Sequence, residues 1–286
     1  MGAHVVTPDV ISYSVAISSC ERGQQWPWAL HLFREMQIQL VSPDVILYSA
    51  AISCCEKGLQ WQLALSLFNA LEHRHLVPDV IIYSAAISAC EKGLQWGFAL
   101  YLFHTMHATG VVPDAICYNA VISSCEKGLQ WQLALLVFSR MCAQKVLPNL
   151  VSYNAVISSL EKGFMWQLAV GLFIQMTVQQ LVPDVISYNA LISCCEKGLQ
   201  WQKALHFFSI MSLQSVKPDV VSYNAVLSAY EKGSQWESAV HLLSLIRTCG
   251  DVTPDVISYS AVTSACQQVS HIVSGVASLF PPKRAA

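Results

Sequence analysis

Seven tyrosines, spaced from Tyr13 to Tyr223, are each followed by a short hydrogen-bonding side chain. Ser14, Ser49 and Ser84 come first, then Asn119, Asn154, Asn189 and Asn224. A second column follows proline: Asp44, Asp79, Asp114, Asn149, Asp184, Asp219 and Asp255. A third is basic and sits between a glutamate and a glycine: Arg22, Lys57, Lys92, Lys127, Lys162, Lys197 and Lys232. Hydroxyls and amides both donate and accept, carboxylates accept, and ammonium groups draw anions as point charges. Together they can read a polar edge and meet a polyanion. They supply no activated nucleophile, and the chain has no H-E-x-x-H, phosphate loop, G-x-S-x-G or deaminase signature. No enzyme activity is expected, and no cofactor.

The columns march at one period. Pro8, Pro43, Pro78, Pro113, Pro148, Pro183 and Pro218 are each 35 residues apart, and Pro254 follows after 36, which implies one residue inserted near Gly250-Asp251. Seven tryptophans from Trp26 to Trp236 keep the same step. Each unit carries two apolar stripes at helical spacing: Tyr13, Ala16, Ile17 and Cys20, then Trp26, Ala29, Leu30, Phe33 and Met36. Gly23 should end the first helix, and the residue after each proline is a good N-cap for the next. A hairpin of about a dozen residues per helix cannot bury both stripes alone, so hairpins must stack. The expected fold is all-α, a right-handed α-solenoid superhelix of stacked helix-turn-helix repeats. Residues 1–9 read as the tail of a preceding repeat. Seven repeats follow at 10–44, 45–79, 80–114, 115–149, 150–184, 185–219 and 220–255. Residues 256–286 form an incomplete one, as in a fragment of a longer protein.

Bulk properties narrow the choices. The chain is 12% charged and 54% hydrophobic with a formal charge of −2, so disorder is excluded and any polyanion site must be a local stripe. Two stretches free of formal charge, Gly163–Pro183 and Val256–Pro282, are broken by Gln, Ser and Pro, so no membrane span is expected. The start has neither a transit-peptide nor a signal-peptide composition. Cys20, Cys55, Cys90, Cys125, Cys195 and Cys266 share one register with Leu160 and Tyr230, as buried apolar filler would. His104 and His107 lack a third ligand, so no metal site is expected. The tryptophans read as core wedges between hairpins.

Val185–Ser193 (Val-Ile-Ser-Tyr-Asn-Ala-Leu-Ile-Ser), Glu196–Gly198, Ala204-Leu205 and Lys217–Asp219 resemble the pentatricopeptide repeat in its plain 35-residue form. The resemblance runs from about Val5 to Phe280. It implies a module that binds single-stranded RNA, one base per repeat. Base-reading pairs would be Ser14 with Asp44, Ser49 with Asp79, Ser84 with Asp114, Asn119 with Asn149, Asn154 with Asp184, Asn189 with Asp219, and Asn224 with Asp255. Ile11, Ile46, Ile81, Ile116, Val151, Ile186 and Val221, with Ile257 in the last unit, would clamp the flat of the bases. Arg22 and the six lysines of its column would meet phosphate, Gln268 standing where the last unit should have a lysine. The family's pairing rules then give a target near 5′-GGGYUUU-3′, with Y cytosine. The resemblance also implies work on organellar transcripts, in mitochondrion or chloroplast, as a non-catalytic adaptor that can recruit protein partners.

Each column has a structural reading beside the functional one. The Asp column suits helix N-caps, the basic column suits helix C-termini through the dipole, and the aliphatic clamps could be core. The Ser/Asn column, on an exposed helix position, is harder to explain structurally because both residues are middling helix formers. A glutamate precedes every basic residue. Neighbours on a helix point about 100° apart, so the acids need not share the basic face, and the cations are expected to line up as a ridge. The rival from another class is a tetratricopeptide-like scaffold that holds a peptide in its groove.

Overall fold

A computed structural model describes residues 8–249 and 252–279, and side chains as far as residue 267 apart from residue 249. The inserted residue near Gly250-Asp251, the tail before residue 8 and the side chain of Gln268 lie outside what is described. Every element among the described residues is a helix. The first helices of the repeats are α1 (Val10–Arg22), α3 (Val45–Lys57), α5 (Val80–Lys92), α7 (Ala115–Lys127), α9 (Leu150–Lys162), α11 (Val185–Lys197), α13 (Val220–Lys232) and α15 (Val256–Leu279). The second helices are α2 (Trp26–Ile38), α4 (Trp61–His73), α6 (Trp96–Ala108), α8 (Trp131–Ala143), α10 (Trp166–Val178), α12 (Trp201–Leu213) and α14 (Trp236–Cys249). The fold class is an all-α solenoid of stacked hairpins. The chain divides into two compact units, Met1–Pro148 and Asn149–Ala286.

Within each unit the first helices lie side by side as one layer, and each second helix packs on its own first helix and on the next one. A middle first helix therefore has neighbours on three sides. In α3 the expected stripe of Tyr48, Ala51, Ile52 and Cys55 is fully buried, and Leu47, Ala50 and Cys54 are buried with it. One-face periodicity underestimated this burial because it counts a single partner per helix. Phe33 meets Tyr48 with ring centroids 5.1 Å apart, Phe68 meets Tyr83 at 5.1 Å, and Phe173 meets Tyr188 at 5.2 Å. Each pair joins the second helix of one repeat to the first helix of the next. The first pair is edge-on and the other two are tilted, and aromatic pairs of this kind add about 1 kcal/mol beyond area burial.

The turns explain Gly-Leu-Gln-Trp. Gln60 N–H donates to Cys55 O and Leu59 N–H to Glu56 O, a Schellman closure. Its left-handed position, normally glycine's, is filled by Leu59 at φ 58°, Leu94 at 59° and Leu129 at 58°. The glycine one place earlier has an ordinary φ of −81° at Gly58. It is needed for space instead. A Cβ at Gly58 would fall 2.4 Å from the Trp26 ring, and one at Gly93 2.3 Å from Trp61. Trp26, Trp61, Trp96, Trp166 and Trp201 thus each lean on the glycine of the following repeat. These tryptophans are half-buried at the edge of the stack, Trp96 keeping 36% exposure, rather than core wedges. Their site is a turn, and a turn is covered on one side only.

Candidate functional site

Aspartate or asparagine caps every first helix whose cap is described. Asp44 Oδ1 accepts from Leu47 N–H at 2.9 Å, Asp79 from Ile82 N–H at 2.9 Å and Asp184 from Ser187 N–H at 2.8 Å. The cap fixes where each helix begins, and so which residues of its first turns share a face. The aliphatic column occupies the second helical position and the Ser/Asn column the fifth, three apart and therefore on one side. That side faces away from the second helices. Ile11 is 71% exposed, Ile46 67%, Ile81 60%, Ile116 62%, Val151 59%, Ile186 60%, Val221 55% and Ile257 58%. The core reading of this column is overturned. A branched aliphatic left in water at one register of every repeat costs hydrophobic stabilisation and calls for a ligand.

Between neighbouring first helices these side chains form the walls of matching recesses. One, of about 270 Å³, is lined by Ile81 and Ile116, with Ser84 and Asp114 between them and Ser53, Ser88 and Glu56 farther along. The equivalent recess one repeat earlier, of about 310 Å³, has Ile46, Ile81, Ser49, Asp79, Ser18, Ser53 and Glu21. Two residues expected to pair, and the two aliphatics expected to flank them, therefore meet in one place. The second serine column, Ser18, Ser53, Ser88, Ser123, Ser158, Ser193 and Ser228, escaped the sequence reading. Its signal was there: one polar residue type at four residues from the reading position in all seven repeats. Ser123 Oγ donates to Glu91 Oε1 at 2.7 Å. A larger apolar recess of about 680 Å³, between α4 and α6, holds no charged side chain and lies on the opposite side.

In the second unit the residues expected to pair do bond to each other. Nδ2 of Asn154 donates to Oδ1 of Asp184 at 3.1 Å, Asn189 does the same to Asp219 at 3.0 Å, and Asn224 to both Asp255 oxygens at 3.1 Å. Capping and pairing thus coexist in one carboxylate. Burial pushes the Asp184 carboxyl up, but hydrogen bonds from the Ser187 backbone and hydroxyl and from Asn154 outweigh it and hold it below its ordinary value; Asp219 is held down in the same way. Asn154 and Asn224 are 9% exposed, so this column is half-buried to buried rather than exposed as expected. Flanking first helices cover it from both sides.

The basic column is not a free ridge. Lys57 Nζ meets Glu21 Oε1 at 2.9 Å, Lys92 meets Glu56 at 2.7 Å, Lys127 meets Glu91 at 2.9 Å, Lys197 meets Glu161 at 2.7 Å and Lys232 meets Glu196 at 2.6 Å. The 100° between adjacent residues separates acid from base on one helix, yet it turns each glutamate toward the neighbouring helix, within reach of that helix's lysine. The result is a ladder of alternating charge along each unit. Arg22 at the head of the column makes no ion pair among the described residues.

Of the cysteine register, Cys55, Cys90, Cys125 and Cys195 are buried; burial pushes the Cys55 and Cys90 thiols up to about 12, leaving them protonated and inert. Among the described residues no group of three or more His, Cys, Asp or Glu side chains could hold a metal ion, and no helix is long and apolar enough to cross a membrane.

Comparison with known families agrees with this geometry. The pentatricopeptide repeat domain matches residues 31–92, 101–162 and 207–269, the PPR repeat family 148–197 and 183–224, and the PPR repeat 11–38. The chain belongs to the pentatricopeptide repeat family. No curated protein matches it in sequence. Among solved structures this pentatricopeptide repeat chain resembles PPR10 in complex with an 18-nt psaJ RNA element, with a TM-score of 0.60 and 20% identity over 92% of this chain and 44% of that one. PPR10 from maize gives 0.54 at 21% identity, over 96% and 49%. The PPR domain of Arabidopsis thaliana protein-only RNase P 1 in complex with tRNA gives 0.55 at 18%, over 63% and 95%. These likenesses establish the fold. The chain spans less than half the length of the PPR10 chains.

Proposed function

We propose that this pentatricopeptide repeat chain binds single-stranded RNA, one base per repeat, with a target near 5′-GGGYUUU-3′. The observation that carries it is the exposed aliphatic column: a branched side chain on each side of a recess that holds one half-buried serine and its aspartate. A planar base slotted between two such side chains would bury them and present its edge to the Ser or Asn and the Asp. A serine hydroxyl leaves room for a purine, whereas the longer asparagine amide reaches a pyrimidine and offers donor and acceptor together. Base-reading roles fall to the seven pairs named above, clamping to the aliphatic column, and phosphate contact to the basic column. Each lysine then shares its charge between phosphate and glutamate. The protein acts as a non-catalytic adaptor on an organellar transcript, which it protects, blocks or brings to another protein.

Fluorescence polarisation with 5′-GGGCUUU-3′ and its base-scrambled isomers tests this. Tighter binding of the ordered sequence is the expected result. Seven unpaired cations would give a log–log salt slope of roughly −5, and the charge ladder should make it shallower. Equal binding of all isomers overturns base reading. Salt-insensitive binding of peptides with no RNA binding would favour the scaffold alternative.

A further inference from the structure

The two kinds of reading residue differ in what stands behind them. In the second unit Ser187 Oγ lies 2.6 Å from Asn154 Oδ1, Ser222 Oγ 2.5 Å from Asn189 Oδ1, and Ser258 Oγ 2.5 Å from Asn224 Oδ1. Each serine is the third residue of the following first helix, and each is almost wholly buried. Its oxygen accepts from a backbone N–H, Asp184 N donating to Ser187 Oγ at 3.2 Å, and its one proton has two acceptors in reach, Asn154 Oδ1 at 2.6 Å and Asp184 Oδ1 at 2.8 Å, of which the amide oxygen is the nearer. The amide is thereby held at both ends, Oδ1 by the serine and Nδ2 by the aspartate. Turning it over would set Oδ1 against a carboxylate oxygen.

The same position behind each serine reader is apolar or a thiol. Ser14, Ser49 and Ser84 are followed by Leu47, Ile82 and Cys117, whereas Asn119, Asn154, Asn189 and Asn224 are followed by Ser152, Ser187, Ser222 and Ser258. Capping does not demand the serine, because Asp44, Asp79 and Asp114 cap their helices without it. Nor does burial, because Leu47 and Ile82 are equally buried there. What distinguishes the serine repeats is the asparagine in front of them.

We propose that Ser187, Ser222 and Ser258 are specificity-positioning residues, which fix the amide of the preceding reader and make recognition at those repeats a device of three side chains rather than two. This rests on the RNA reading above. A fixed amide leaves one Nδ2 proton and one Oδ1 lone pair in set directions beside the carboxylate, a match for the carbonyl and N–H of a uracil edge. An amide free to turn would serve a cytosine edge as well, and discrimination would fall.

The test uses the full chain and four heptamers that differ only at the fifth base, the one facing Asn154 and Asp184. Ser187→Ala should lower the preference for uracil at that base about fivefold, the worth of one neutral hydrogen bond, while the preference at the sixth base stays. Ser187→Thr, which keeps the hydroxyl, should restore it. A gain-of-function arm is independent of any folding loss. Ser84→Asn with the near-isosteric Cys117→Ser should favour uracil at the third base about fivefold more than Ser84→Asn alone. Equal weakening for all four bases, or an unchanged preference, in Ser187→Ala overturns the proposal, as does no added preference from Cys117→Ser. If the unaltered protein shows no preference at the fifth base, RNA reading itself fails and the positioning role with it.

Discussion

The serine repeats of the first unit and the asparagine repeats of the second share a period, a cap and a core, yet treat the reading position in opposite ways. In the first, Ser49 and Ser84 line open recesses between exposed isoleucines. In the second, Asn154, Asn189 and Asn224 are tied into chains of hydrogen bonds that run from one repeat to the next. A short side chain has little conformational freedom to lose and can be left to the ligand. A longer amide needs its two ends told apart, and a buried hydroxyl does that only with a partner waiting. The lesson is that one scaffold position can be preorganised or open according to a residue 33 places onward.

The largest expected effect concerns the turn glycines, which differ from repeat to repeat rather than from unit to unit, a Cβ at Gly198 also falling 2.4 Å from the Trp166 ring. A Cβ at Gly93 would lie 2.3 Å from the Trp61 ring, whereas at Gly233 it would lie 2.8 Å from Trp201. Gly93→Ala should cost about 3 kcal/mol in urea unfolding and Gly233→Ala about 1 kcal/mol. Equal losses would mean that the tryptophans yield alike. Next come the recess walls. Ile46→Ala with Ile81→Ala should weaken RNA binding about tenfold, and Val221→Ala about threefold, at roughly 25 cal/mol per Å² of apolar surface covered. Neither should move the melting temperature much, because these side chains are already in water. A large thermal loss would return the column to the core.

Acid should single out the hydrogen-bonded carboxylates. Asp184, Asp219 and Asp255 are held below their ordinary value by hydrogen bonds, which for Asp255 come first from the Ser258 backbone. A lowered folded value means stability that is fully present above the unfolded value near 3.8 and lost as pH falls through the folded one. Urea midpoints should therefore drop below about pH 4, and Asp184→Asn, which keeps a cap, should flatten that drop. An unchanged acid limb would show that these bonds contribute little. The smallest expected effect is at the charge ladder. Glu91→Gln releases Lys127, whose partner it is at 2.9 Å. Stability should change by less than about 0.5 kcal/mol, as for other half-exposed pairs, while RNA affinity rises about twofold and its salt slope steepens.

Much of this was legible in the residues. Proline, tyrosine and tryptophan at 35-residue spacing gave hairpins, and the residue after proline gave the caps, because both are local properties of one chain segment. In the cysteine column Cys55, Cys90, Cys125 and Cys195 read correctly as buried filler, whereas Cys20 and Cys266 in the outermost repeats are only half-buried. The expected ridge of free lysines did not form, since their glutamate partners lie 36 residues earlier on another helix. The tryptophan column misled because hydrophobicity says nothing about whether a turn is covered on one side or both. The correlation of Ser187, Ser222 and Ser258 with asparagine was in plain sight, but it acquires meaning only from a contact of 2.5–2.6 Å.

The amino-acid order alone determined the helices, their ends and the need to stack, because backbone propensity, capping and amphipathic period act within a dozen residues. Tertiary structure alone decided which aliphatics stayed in water, which charges cancelled and which amides were held. Those outcomes depend on distances between helices in neighbouring repeats, and periodicity along one helix carries no information about the surface set against it.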